Sequence, residues 1–119
     1  MQSQAHEFDR HRHLDARPSD SRCLIPFDRR ESISIAAAAQ RTGRVNRTLR
    51  RWCEEYRIGR RIAGGQWMVS VVALEMLLND DVEALKVYLD GDRRSPVVSA
   101  YYDSAGLGAL VRKWADQAG

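Results

Sequence analysis

The stretch Arg41–Arg61, RTGRVNRTLRRWCEEYRIGRR, holds eight arginines against two acids, and how it is read decides how the rest of the chain is read. Its arginines are ordered as well as numerous. A helix begun at Asn46 places Leu49, Trp52, Cys53 and Tyr56 in one stripe at the i, i+3, i+4, i+7 spacing, with Arg47, Arg50 and Arg51 roughly opposite. One face calls for a core and the other for an anion.

Outside this segment the charge is balanced or negative. Residues 1–31 hold six Arg and six Asp/Glu, residues 32–40 hold none, and residues 62–119 hold five cations against eight acids. The formal net charge of +3 therefore comes from the middle segment, which alone carries +6. A cationic patch backed by an acidic remainder is the electrostatic footprint of a phosphate binder. A merely solvated helix face would mix signs, and here only Glu54 and Glu55 stand near the arginines.

A length of 119 residues with 44% apolar residues allows one small domain with tails. There is no apolar run of membrane-spanning length, and the first residues lack the basic start, apolar stretch and cleavage site of a secretory signal, so a cytoplasmic protein is expected. Cys23 and Cys53 have no C-x-x-C spacing and read as free thiols rather than a zinc site. Met1–Arg30 has abundant Arg, Asp, Ser and His and no helical or alternating period, which predicts a disordered or loosely attached tail over 1–31. Within it His6, His11 and His13 lack nearby cysteines and a fixed backbone, and they read as solvated. Arg10, Arg12, Arg17 and Arg22 are interleaved with Glu7, Asp9, Asp15 and Asp20, which argues against a strong phosphate-binding arm. No metal or cofactor is expected.

Ser34 is a good N-cap, after which Ile35, Ala38, Ala39 and Thr42 take the core positions of a short helix stopped at Gly43. The small alanines permit close approach of a second helix. The turn Gly43, Arg44, Val45 is short, and Asn46 is expected to cap a helix from Arg47 to Glu55 or Tyr56. Two short helices joined by a glycine-containing turn form the pattern whose second helix enters the major groove of DNA.

Beyond Tyr56 the period changes. Gly64 and Gly65 lie between two runs with β-formers, Arg60–Ala63 and Gln66–Val69, and predict a hairpin closed by a two-residue turn. A hairpin after such a helix pair is a wing, with Arg60 and Arg61 near a second stretch of DNA and Trp67 packed inward. Ser70 should cap a helix Val71–Leu78. Asp80 with Glu83 resembles a capping box for Val82–Leu89, which ends at Gly91. Ser95 and Pro96 open a further helix that ends near Gly106. Leu107, Leu110, Val111 and Trp114 mark a last amphipathic helix, expected first to cover its own domain and second to self-associate or hold a protein partner.

Taken in order, residues 33–78 resemble the MerR-like, excisionase-type winged helix-turn-helix modules of bacteria and phages. The shared pattern is an apolar-Ser-apolar start (Ile33, Ser34, Ile35), the pair Ala38 and Ala39, Gly43 at the turn, Thr48 and Leu49, the Arg51-Trp52 dipeptide, a basic strand, a Gly-Gly-x-Trp wing (Gly64, Gly65, Trp67) and the closing pair Ala73 and Leu74. The resemblance implies a mainly α fold: a small winged helix-turn-helix over 32–79 with a two-stranded β-hairpin wing, extended by helices over 80–119. It also implies DNA-facing positions at Arg47, Arg50, Arg51, Arg60 and Arg61, with Thr48 suited to a phosphate or base edge. Arg41 and Arg44 are read as phosphate contacts. Three departures stand out: Arg44 and Val45 replace the usual apolar-Ser pair, Gln66 stands where a wing-tip arginine is common, and 80–119 lies outside the module.

The leading functional expectation is a sequence-specific double-stranded DNA binder, either an excisionase-like recombination accessory factor or a small transcriptional regulator. The alternative is a protein-interaction adaptor using the basic face and the C-terminal helices. An enzyme is the weakest reading. The chain has no phosphate-cradling glycine loop, no H-E-x-x-H, no nucleophile elbow, and no histidine in the expected folded region to act as a general base.

Overall fold

The computed structural model describes residues 21–118. Ser34 accepts the Ala37 N–H at 3.0 Å and starts α1, Ile35–Thr42. Its buried side is Ile35, Ala38 and Ala39. Gly43 ends the helix in the left-handed region (φ 73), where a side chain would be strained, and the Arg44 N–H reaches back to the Ala39 carbonyl. Thr42 closes the same turn by donating to the Ala38 carbonyl at 2.9 Å.

Helix α2, Asn46–Tyr56, follows after three residues. Leu49, Cys53 and Tyr56 are buried and Trp52 is half-buried against the same core, while Arg47, Arg50 and Arg51 are exposed. The cap differs from expectation. Val45 occupies the N-cap position without a side-chain hydrogen bond, and Asn46 is already helical, so its amide does not cap the helix.

Three strands make one antiparallel sheet: β1 (Ser32–Ser34), β2 (Gly59–Arg61) and β3 (Trp67–Ser70), in the order β1-β3-β2. The expected two-stranded hairpin is therefore corrected to a three-stranded sheet. Ile33 pairs with Val69 and Ser34 with Met68, so the residues before α1 add a strand to the free edge of β3. The hairpin turn is also longer than a two-residue turn. Arg61 pairs with Trp67, leaving Ile62–Gln66 to close the loop, and positive φ falls on Ala63 and Gly64 rather than on Gly64 and Gly65.

Ser70 accepts the Ala73 N–H and starts α3, Val71–Leu78, which is buried on nearly all sides. Asp80 takes a left-handed conformation (φ 57) to end it, so the cap of α4, Val82–Leu89, passes to Asp81, whose carboxylate accepts the Ala84 N–H. This corrects the expected Asp80 capping box. Helices α5, Pro96–Ser104, and α6, Gly108–Ala118, complete the chain. Leu107 and Leu110 are buried, and Val111 and Trp114 pack on the core with Trp114 edge-on to Tyr102 at 5.9 Å, so this apolar stripe covers its own fold. No helix among the described residues is long and apolar enough to cross a membrane.

The described part of the expected tail is anchored to the fold at three buried residues. Cys23, Leu24 and Glu31 are fully buried, and the Arg22 N–H bonds the Leu89 carbonyl. Arg93, itself 6% exposed, donates to the carbonyls of Arg22 (2.6 Å), Ile25 (3.0 Å) and Tyr88 (2.6 Å), with its guanidinium 3.9 Å from the Tyr88 ring centre. Glu31 receives the hydroxyls of Ser70 (2.7 Å), Tyr102 (2.9 Å) and Tyr88. A buried carboxylate and a buried guanidinium thus bracket Tyr88, whose oxygen also accepts the Leu24 N–H. Both carboxyl oxygens of Glu31 and both terminal nitrogens of Arg93 are hydrogen-bonded, which offsets the cost of burying them, while Arg93 Nε is buried without a partner among the described residues. The expected readings of residues 1–20, including His6, His11, His13, Arg10, Arg12 and Arg17, lie outside the described residues.

Candidate nucleic-acid interface

The amphipathic geometry of α2 decides where its arginines point. Burying Leu49, Cys53 and Tyr56 against α1 and the sheet turns Arg47, Arg50 and Arg51 outward on the far side. Arg41, in the last turn of α1, and Arg44, in the turn, are exposed at the start of the same helix. The Arg44 guanidinium lies 5.6 Å from the Trp52 ring centre, a cation–π contact that steadies it without neutralising it. Among the described residues, none of Arg41, Arg44, Arg47, Arg50 and Arg51 forms an ion pair; the salt bridge found there joins Arg30 to Asp28. Thr48 is half-buried beside Leu49 and is less available than these exposed arginines.

Arg60 departs from expectation. Its Nε donates to the Cys23 carbonyl and its Nη2 to the Ser21 carbonyl, both at 2.7 Å, so it straps the N-terminal segment to β2 instead of presenting a free guanidinium beside the hairpin. The reason is the register: Arg60 pairs with Met68 and emerges on the side where residues 21–24 cross. Arg61, its neighbour on β2, is exposed and donates back to the Gly65 carbonyl at 2.9 Å, which leaves its charge at the hairpin turn. Between α2 and β2 lies an open cleft of about 360 Å³, lined by Glu54, Arg57, Arg61 and Trp67 among others.

The thiols show no reactive character. Burial, with Glu54 adding to it, pushes Cys53 from 9.0 up to about 12, and burial raises Cys23 further, so both are protonated at neutral pH. No group of His, Cys, Asp or Glu among the described residues could hold a metal ion.

Two features of this region are not legible from spacing. Val45, at the tip of α2, is 64% exposed, because with Val at the cap the helix starts one residue earlier than a capping Asn46 would dictate. Ser21 borders the cleft, and the apolar run Cys23, Leu24, Ile25, Pro26, Phe27 that follows within two residues is the sequence signal that this part of the expected tail is anchored. No protein-family model, curated protein or solved structure matches the chain.

Proposed function

We propose that the chain is a sequence-specific double-stranded DNA-binding protein of winged helix-turn-helix build, with α1 and α2 as the helix pair, α2 as the recognition helix and β2–β3 as the wing. What carries this reading is the two-sided α2: its apolar stripe is consumed by the core, while Arg47, Arg50 and Arg51 stand exposed with no carboxylate partner among the described residues. Unpaired cations on a rigid rod beside a short turn match the depth and charge of a major groove.

Arginine suits two tasks there. Arg47 and Arg50, in the early and middle turns, approach base edges, where a bidentate fork on guanine O6 and N7 contributes about 1 to 3 kcal/mol of discrimination. Arg41, Arg44, Arg51 and Arg61 hold phosphates and release counterions, which supplies affinity independent of sequence. The role follows from the site bound: an excisionase-like accessory factor would occupy the ends of a mobile element, and a small cytoplasmic regulator would occupy promoters. One module serves either.

The test is selection of duplexes from a random pool, followed by competition with excess nonspecific duplex. A preferred site should survive the competition and be lost on joint Arg47→Ala and Arg50→Ala substitution. Equal retention of all duplexes would withdraw sequence reading. Retention of none would withdraw DNA binding and turn the basic face toward an acidic protein.

A further inference from the structure

Four large apolar side chains are exposed among the described residues: Ile25, Phe27, Val97 and Val45. The first two lie on the N-terminal segment and the third on α5. Val45 alone sits at the start of the arginine-bearing helix, and at 64% it is the most exposed of the four.

Its presence there is unfavourable in two ways. It buries little apolar surface, and at the N-cap, where Ser, Thr, Asp or Asn would accept a backbone N–H, it leaves α2 without a side-chain cap. The residue on its C-terminal side, Asn46, could cap the helix if the helix began one position later, yet it is helical. Val45 therefore serves neither the core nor the helix. What it does offer is a pair of methyl groups with restricted χ1, held at the helix tip between Arg44 and the Asn46–Arg47 turn. The major-groove edge of duplex DNA carries one apolar group, the C5 methyl of a pyrimidine, and apolar side chains at a recognition-helix tip read it by contact.

Resting on the DNA-binding reading above, we infer that Val45 is a specificity-determining residue that packs on a pyrimidine C5 methyl in the major groove, so that each bound site contains one position where a methylated pyrimidine is preferred. Thymine and 5-methylcytosine share that methyl and differ along the rest of the base edge.

The experiment uses the full chain and its selected duplex, with each thymine replaced in turn by 2′-deoxyuridine, a change that removes only the methyl. At one position the wild-type protein should lose about fourfold in affinity, the effect of one buried methyl-sized group. Val45→Ala should bind the thymine and uracil duplexes equally. At the same position 5-methylcytosine should exceed cytosine by a similar factor for wild type only; a full return to thymine affinity would show that the methyl is all that is read there, and a partial return that the thymine edge is read as well, with Val45 on the methyl in both cases. Val45→Ser, which restores a cap, should raise the melting temperature by about 4 to 8 °C while also losing the uracil penalty, which separates recognition from folding. Uracil tolerated at every position, or a uracil penalty unchanged in Val45→Ala, overturns the assignment while leaving DNA binding intact. Failure to retain any duplex overturns both.

Discussion

Arg50 and Arg60 carry the same guanidinium and meet opposite fates. Arg50 is exposed on α2 with no ion-pair partner among the described residues, so under the proposed function Arg50→Ala should relax base preference and cost about 1 to 3 kcal/mol at the selected site. Equal losses on every duplex in a binding titration would reassign it to a phosphate. Arg60 is spent on the carbonyls of Ser21 and Cys23, and charge-assisted bonds of this kind contribute about 1.5 to 3 kcal/mol. Arg60→Ala should therefore lower the urea midpoint and leave the salt dependence of duplex binding unchanged. A shallower salt slope with normal stability would return Arg60 to the interface. From spacing the two arginines look alike, because what distinguishes them is a partner 37 or more residues away.

At the scale of elements, local patterning carried most of the information. The caps Ser34 and Ser70, the stop at Gly43, the Pro96 start and the stripe of α2 are each set within a few residues, and each is found where periodicity places it. The sheet is where local reading falls short. Ser32–Ser34 is too short to show a period, and it becomes a strand only because β3 offers an unpaired edge. β2 approaches α2 just as closely: a Cβ built on Gly59 would lie 2.6 Å from the Cys53 sulfur and would collide with the Met68 carbonyl oxygen. Gly59→Ala should therefore push β2 off the helix and cost about 1 to 3 kcal/mol, read as a lower thermal midpoint. An unchanged midpoint would mean that the contact between helix and hairpin is looser than described.

For the molecule as a whole, the buried polar centre joins parts that no motif connects. Glu31 collects hydroxyls from β3, α4 and α5. Glu31→Gln replaces one acceptor oxygen with a donor, strands a buried hydroxyl, and should destabilise the fold by about 1 to 3 kcal/mol in urea unfolding; a neutral result would show that the network rearranges freely. The same interior sets an alkaline limit. Burial raises Cys53 from 9.0 to about 12, and also raises Cys23, Tyr88 and Tyr102. Below the unfolded thiol value of 9.0 both states keep these protons and the stability from this source is complete. Above it the unfolded chain ionises first, so stability should fall as pH climbs from about 9 toward 12. Urea midpoints that hold steady or rise across that window would contradict this burial.

The sequence by itself determined the helices, the caps at Ser34 and Ser70 and the separation of arginine from apolar residues across α2, since these depend on neighbours three or four positions apart and on φ angles that single residues prefer. Only the tertiary structure decided that Arg60 is a strap, that β1 completes the sheet, that Cys23 and Leu24 are anchored in the core, and that Glu31 and Arg93 are interior. Those outcomes rest on partners between 34 and 71 residues apart. Hydrogen bonds over such separations leave no periodic trace, because a buried charge is placed by whichever groups the fold brings to it.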